Sequence, residues 1–352
     1  MQHSLPSLGW KPYFERQVDD DDAGSTIVAR VSAHNRSQVL MLGEAGEFQI
    51  PVQLAESAGP IAVGDWLILD ANNHRALQRL ERTSLLERKA SGEEIKAQAM
   101  AANIDTALIV CSCNEDFSLA RMERYLALAL QAEVTPVIVL TKVDLCENAS
   151  ELKRQAEQLH RGVVVETLDA RDPQQAEPLR MWCGQGQTVP LMGSSGVGKS
   201  TLANALGAAD LATGRIRQQD GKGRHTTTSR SLHLLPGGGV LMDNPGIREL
   251  QLPACEEGLN DLFEDILQHA ENCRFRNCSH DGDAGCAIET AIENGLLDPR
   301  RWQSYLKLRA EQEHNSRTLA ERRQRDREFG KMCREVMADK RRRSGGGREF
   351  RE

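Results

Sequence analysis

Long apolar runs are missing from this chain. Stretches such as 107–110 and 137–140 fall far short of the roughly 20 residues needed to cross a bilayer, so no membrane span is expected. Residues 1–15 lack a basic start followed by an apolar stretch, so no secretion signal is expected and the expected location is the cytoplasm. Aromatics are scarce, with 14 in 352 residues, while 39% of the chain is hydrophobic and 27% charged. That balance excludes a fibrous or broadly disordered chain and describes a soluble globular protein with a modest core. No repeat with a period of about 20 to 50 residues is visible, which excludes a solenoid or propeller.

Positive charge is in deficit everywhere but at the end. The net charge is −7, yet residues 321–352 hold twelve Lys/Arg against seven Asp/Glu, a balance of +5, leaving −12 on the remainder. A block such as Arg341-Arg342-Arg343 reads either as a solvated end or as a contact to a phosphate backbone. Nine cysteines are present. In a reducing compartment scattered thiols are core residues or metal ligands rather than disulfides, and their spacing decides which.

The length allows two or three domains. After an acidic opening, Asp19 to Asp22, short β-like runs at 26–31, 38–42, 48–52 and 66–69 alternate with glycines. They predict a small closed barrel of the OB or SH3 type over residues 1–90. From about Ile104 the pattern changes to apolar strands separated by amphipathic helices. Leu119–Gln131 carries Met122, Tyr125, Leu126 and Leu130 at helical spacing, and strands are expected at 107–110, 134–140, 162–166, 188–192, 231–235 and 240–242. This predicts an α/β domain over 91–252, with a parallel sheet covered on both faces and ligands at the carboxyl ends of its strands. Beyond Pro253 strands give way to helical faces, Leu259, Leu262, Phe263, Ile266 and Leu267 among them. Residues 253–352 are therefore expected to form a helical module ending in the basic tail.

The sharpest motif is Gly193-Ser194-Ser195-Gly196-Val197-Gly198-Lys199-Ser200, placed directly after a strand and followed by Thr201. It fits G-x-x-x-x-G-K-[ST], in which the glycines let backbone N–H groups turn toward phosphates and the lysine adds a point charge. Ser200 would offer its hydroxyl to Mg²⁺. Thr141-Lys142-Val143-Asp144 resembles the N-K-x-D guanine motif. Asp144 can accept hydrogen bonds from guanine N1–H and its exocyclic amine, a donor pair that adenine lacks, and the stem of Lys142 can lie on the base. Thr141 stands where Asn is usual, and its shorter side chain is expected to brace the loop less well. Thr167-Leu168-Asp169 occupies the place of an S-A-x turn but matches it poorly. Asp243-Asn244-Pro245-Gly246 fits D-x-x-G, with Asp243 toward Mg²⁺ and the Gly246 N–H toward the γ-phosphate. Between the two lies Gly223-Arg224-His225-Thr226-Thr227-Thr228, a loop whose hydroxyls can complete the Mg²⁺ shell and which the γ-phosphate would order.

The linear order is unusual. In ordinary GTPases N-K-x-D comes last, whereas here it precedes the phosphate loop. Cutting and rejoining the same sheet elsewhere gives this order, because native termini often lie close together. The chain then runs from the second switch straight into the C-terminal module. That module holds Cys273-x4-Cys278-x-His280-x5-Cys286, three thiolates and one imidazole that suit one closed tetrahedral structural zinc ion per chain. Cys111, Cys113, Cys146, Cys183, Cys255 and Cys333 lack such company and are expected to be core or incidental.

With these motifs together, the chain resembles the RsgA (YjeQ/YloQ) family of circularly permuted GTPases. The resemblance covers nearly the whole length. It implies an N-terminal OB-fold, a permuted P-loop GTPase domain and a C-terminal helical zinc-binding domain. It further implies a GTP/GDP-binding monomer that binds the small ribosomal subunit and its rRNA near the decoding region during late maturation, with hydrolysis stimulated there. The basic N-terminal extension of some relatives is replaced here by the acidic stretch. Many GTPases place a water-orienting glutamine just after D-x-x-G. Ile247 stands there, and resemblance and chemistry together nominate His225 as the group that orients or polarises the water. Two other readings are an RNA-binding assembly factor in which nucleotide is mainly structural, and an ATP-dependent P-loop enzyme. Asp144 and the switch threonines argue against the last.

Overall fold

The computed structural model describes residues 3–18, 24–89, 97–208, 231–243, 252 and 255–313. The acidic run 19–22, the loop with His225, Thr226 and Thr227, Gly246, Cys333 and the basic tail lie outside the described residues.

A one-turn helix α1 (Pro12–Glu15) precedes β1 (Thr26–His34), β2 (Gln38–Gly43) and β3 (Gly46–Pro51). A second one-turn helix α2 (Val52–Ala55) leads to β4 (Trp66–Asp70) and β5 (Ala76–Arg79). These strands are antiparallel in the order β3-β2-β1-β4-β5. Among the described residues β3 and β5 do not pair with each other, so the gap that a closed barrel would seal with a ladder is flanked instead by the helical turns at 52–58. The N-terminal segment, which carries no regular hydrophobic period, is nevertheless packed in. Leu8 and Phe14 are buried, and the Trp10 ring meets Trp66 edge-on at 4.8 Å.

The hairpin of β6 (Leu85–Lys89) and β7 (Ala97–Ala102) leads into β8 (Thr106–Ser112). All seven residues of β8 are buried, as a continuous apolar run between two helical layers requires. Helix α3 (Leu119–Gln131) starts at Ser118, whose hydroxyl accepts from the Arg121 N–H, and buries Met122, Tyr125, Leu126 and Ala129. Then come β9 (Thr135–Thr141), α4 (Ala149–Glu157), β10 (Val164–Thr167), β11 (Thr188–Met192), α5 (Lys199–Ala205), β12 (Ser231–Leu234) and β13 (Val240–Asp243). β10, β9, β8, β11 and β13 are parallel neighbours in that order, and β12 runs antiparallel at their edge. The N-terminal strand β1 then pairs with β12 through Ala33 and Ser231, making one eleven-stranded sheet of both units.

Arg30 fastens that junction. It is fully buried, and its guanidinium donates to the Gly64 carbonyl at 3.1 Å, the Asn103 carbonyl at 3.2 Å and the Thr188 hydroxyl at 2.9 Å, with a further bond to the Leu8 carbonyl. Burial pushes its pKa down to about 10, partly offset by Asp105 and Asp65, so the group stays charged at neutral pH. Arg30→Ala leaves these buried acceptors unmatched and is expected to lower the unfolding free energy by about 3–5 kcal/mol. The midpoint of urea unfolding measures it, and a midpoint unchanged from the parent would contradict this role.

The C-terminal helices are α6 (Glu256–Leu262), α7 (Glu264–Ala270), α8 (Ala287–Glu293) and α9 (299–313). α6 lies directly on α3. A Cβ on Gly258 would sit 2.1 Å from the Ala127 carbonyl oxygen, so only glycine allows this approach. α9 is held by a buried carboxylate: Glu123 of α3 is fully buried and accepts from Arg300 at 3.1 Å and from the Ser304 hydroxyl. Arg301 bonds Asp265 at 2.8 Å and the Leu159 and Leu262 carbonyls at 2.8 and 2.7 Å. Of the cysteines expected in the core, Cys111, Cys113, Cys183 and Cys255 are buried and Cys146 is half-buried. Burial drives the thiols of Cys113 and Cys255 up to about 12, which leaves them unreactive at neutral pH.

Candidate nucleotide site and metal centre

The carboxyl ends of the parallel strands converge on the expected site residues. β11 delivers Gly193, β9 delivers Thr141 and β13 ends at Asp243, whose backbone is in register with Leu191. Gly193 has φ +148°, and a Cβ there would lie 2.2 Å from the Val110 carbonyl oxygen of β8. Gly196 and Gly198 take φ values of +83° and +98°, conformations that L side chains rarely adopt. The loop thus turns tightly onto α5, whose first residue is Lys199. The Lys199 ammonium donates to the Gly193 and Ser194 carbonyls at 2.8 and 2.6 Å. Ser200 and Thr201 follow half-buried in the first turn of α5, Ser195 is exposed and Val197 is buried.

Thr141 departs from the expectation set by its short side chain. It is fully buried, and its hydroxyl donates to the Val197 carbonyl at 2.6 Å, with the Cys111 carbonyl at 3.2 Å. A hydroxyl carries one proton, so the shorter contact takes it. Thr141 braces the phosphate loop after all, because Gly198 comes close enough for a Cβ there to lie 3.6 Å from the threonine oxygen. Lys142 takes a left-handed φ of 58° and opens the turn Val143–Leu145 that presents Asp144.

Asp144 is not alone. The Arg171 guanidinium donates to its Oδ2 at 2.6 Å and to Asp169 Oδ2 at 2.7 Å, while Arg171 Nε meets Asp169 Oδ1 at 2.9 Å. The bond to Asp169 and the charge of Asp144 keep the guanidinium firmly protonated. In the same way Arg171 holds the Asp169 carboxyl below the usual range. The poor S-A-x match at 167–169 thus conceals a carboxylate that positions an arginine against the candidate guanine reader. Arg121 is a second residue that motif reading missed. Asp116 holds it at 2.8 Å, and it donates to the Ser194 hydroxyl of the phosphate loop at 2.9 Å. Both arginines lie outside any short motif, so no linear signal marks them.

The metal candidates also converge. Cys273, Cys278, His280 and Cys286 place their ligand atoms within 4.8 Å of one another. His280 Nδ1 lies 3.5 Å from both Cys273 Sγ and Cys286 Sγ. A tetrahedral ion with bonds of about 2.3 Å to sulfur and about 2.0 Å to nitrogen sets such donors roughly 3.5 Å apart, so the set fits zinc. The Ala287 N–H donates to Cys273 Sγ at 3.3 Å and the His280 ring packs edge-on against Trp302 at 5.7 Å. Such surrounding contacts orient metal ligands.

Comparison with known proteins agrees with this geometry. Residues 79–253 match the family model described as RsgA GTPase. The chain is 51% identical over 340 residues to Small ribosomal subunit biogenesis GTPase RsgA 2 of Vibrio parahaemolyticus, covering 96% of this chain and 94% of that protein. The chain belongs to the RsgA GTPase family. It is also 45% identical to Small ribosomal subunit biogenesis GTPase RsgA of Mesorhizobium japonicum, covering 89% of this chain and 91% of that one. Among solved structures, YjeQ from Thermotoga maritima shares the fold with a TM-score of 0.58 at 24% identity, covering 82% of this chain and 98% of that one. YloQ, described as a circularly permuted GTPase, matches with a TM-score of 0.57 at 25% identity, covering 84% and 98%. The RsgA fold is therefore a circularly permuted α/β GTPase fold, with the Thr141 loop ahead of the phosphate loop in the chain and hydrogen-bonded to it across the end of β8. No helix among the described residues of this RsgA-family chain is long and apolar enough to cross a membrane.

Proposed function

We propose that this chain is a GTPase that binds the small ribosomal subunit and hydrolyses GTP to GDP and phosphate during late maturation of that subunit, turning over faster when bound. The observation that carries the reading is the bond from Thr141 to Val197, which couples a candidate base loop to a phosphate loop in the permuted order of the family. Gly193 through Thr201 would cradle the phosphates. Lys199 would leave the loop carbonyls for the β and γ groups, and Ser200 and Asp243 would hold Mg²⁺, which neutralises charge on the phosphate oxygens. Thr226, Thr227 and the Gly246 N–H would complete the γ-phosphate side. Guanine would replace Arg171 at Asp144, with Lys142 and Val143 lining the base. Zinc, one per chain, would staple the Cys273–His280–Cys286 loop with Cys278 as its fourth ligand. The three functional parts would span about 1–90, 91–252 and 253–352 of a cytoplasmic monomer.

Transmission to the C-terminal module has a physical route. Leu252, which follows the second switch, donates its N–H to Glu311 of α9 at 3.1 Å, and Glu311 also pairs with Arg124 of α3 at 2.7 Å. A displacement of the chain before Leu252 would therefore bear directly on the helix that packs against the metal loop.

Phosphate release from GTP and from ATP, with and without purified small subunits, tests the reading. GTP alone should turn over slowly, GTP with subunits much faster, and ATP not at all. A flat response to the subunit would favour an RNA-binding factor with structural nucleotide, and ATP turnover would overturn the guanine assignment. In the same assay His225→Ala should lower the stimulated rate by about 10²–10⁴-fold if its imidazole orients the water. An unchanged stimulated rate would remove His225 from the mechanism.

A further inference from the structure

The metal loop exposes a feature that neither zinc binding nor nucleotide binding uses. Between Cys273 and Cys278 the chain reads Arg274-Phe275-Arg276-Asn277, and all four residues are exposed. Phe275 keeps 47% of its surface accessible in a chain with seven phenylalanines. Its ring is not a core residue that has slipped outward. The Phe275 carbonyl accepts from the Cys278 N–H at 3.2 Å, which fixes the turn, and the Arg274 guanidinium lies 5.3 Å from the ring centroid. Arg274 is itself anchored, since its N–H donates to the Gly285 carbonyl at 3.1 Å.

The charge around this ring is uncompensated. Arg300, Arg301 and Arg309 of α9 each face a carboxylate, whereas Arg274 and Arg276 face none among the described residues. Two acids of the same module, Asp283 and Glu289, are engaged elsewhere. Asp283 accepts from the Ser279 N–H and hydroxyl at 2.6 and 2.7 Å, and Glu289 accepts from the Gly282 N–H at 2.6 Å. An exposed aromatic face flanked by two guanidiniums without acidic partners, on a loop held by four ligand side chains, suits a polyanion that also offers flat apolar rings.

We infer that Phe275 stacks on an unpaired base of RNA while Arg274 and Arg276 pair with the phosphates beside it. This rests on the small-subunit reading above and deepens it by naming the contact. A protein partner with an apolar pocket would need the ring's bulk but not its flat π-face, and that difference makes the two separable.

The experiment measures binding of the full-length, zinc-loaded protein to purified small subunits, and to a short fluorescein-labelled single-stranded RNA, for Phe275→Ala, Phe275→Tyr and Phe275→Leu. Zinc content and thermal unfolding of each variant should match the parent. Phe275→Ala should weaken binding roughly five- to a hundredfold, the range for loss of one stacked base. Phe275→Tyr should restore it and Phe275→Leu should not. Arg276→Gln should flatten the dependence of binding on salt, as loss of one phosphate contact requires. Restoration by leucine would identify an apolar protein pocket and overturn base stacking. Unchanged binding by Phe275→Ala, with the parent bound normally, would overturn it as well while leaving the small-subunit reading intact. A parent that does not bind the subunit would overturn that reading, and this contact with it.

Discussion

Lys199→Ala is expected to cut GTP turnover at least about a hundredfold, the scale seen when one charge-stabilising group is removed from a transition state. The residue opens α5, and its ammonium rests on the Gly193 and Ser194 carbonyls. It is thus a preplaced charge at the point where phosphate oxygens would enter. Removing it should leave the loop in shape, because Gly193 is pinned by the close approach of Val110 and Val197 by the hydroxyl of Thr141. The expected pattern is therefore a large loss in single-turnover phosphate release and in binding of a fluorescent GDP analogue, with thermal unfolding of the unliganded protein little changed. Turnover within threefold of the parent would mean that this loop does not carry the reacting phosphates.

The second large effect is expected from the metal. Structural zinc in small loops contributes on the order of 10–16 kcal/mol of apparent binding free energy, all of it folding free energy where no other core exists. Most of residues 271–285 are exposed and none is buried, so beyond a few local hydrogen bonds the metal is the main constraint on the loop. Cys278→Ser, or a strong chelator, should release the metal and unfold this loop. The helices around it should stay docked. Gly258 against α3, Cys255 Sγ bonded to the Ala127 carbonyl at 3.3 Å and the Glu123–Arg300 pair do not involve the ligands. Amide hydrogen exchange should accelerate across 273–286 and remain slow in α3, and metal analysis should fall from one zinc per chain to none. Exchange that speeds up throughout the C-terminal helices would show that the metal supports the whole module. Because binding needs three thiolates and a neutral imidazole, acid should displace the metal and so mimic the chelator.

The motifs were legible because their chemistry is local. A phosphate loop needs glycines at positions of unusual φ and a lysine at the head of a helix, and 193–200 shows both in one stretch of chain. Four candidate metal ligands within 14 residues are near enough in the chain to meet at one point, and the structure brings all four together. Buried strand segments such as β8 and the last five residues of β9 announce themselves as apolar runs. The N-terminal segment did not, since Leu8, Trp10 and Phe14 show no period and acquire meaning only against Trp66 of β4. Thr141 shows a related limit. Side-chain length predicts a weak brace, whereas the reach required is set by how closely Gly198 lets the two loops approach.

Charge shows the division most clearly. In the sequence Arg274, Arg276, Arg300 and Arg301 are four similar cations in the C-terminal third. The fold assigns Arg300 and Arg301 to the buried Glu123 and to Asp265, and leaves Arg274 and Arg276 facing outward beside Phe275. Arg30 is buried at a junction with Thr188 158 positions away, and Arg121 and Arg171 reach Ser194 and Asp144, 73 and 27 positions away. Residue type and spacing marked the candidate nucleotide loop and the candidate metal ligands, since each set lies in one short stretch of chain, and the order of those stretches marked the permuted arrangement. Which charges are neutralised, which ring stays exposed and which hydroxyl meets which carbonyl were decided only by tertiary structure, since electrostatic and packing partners are chosen by distance in space.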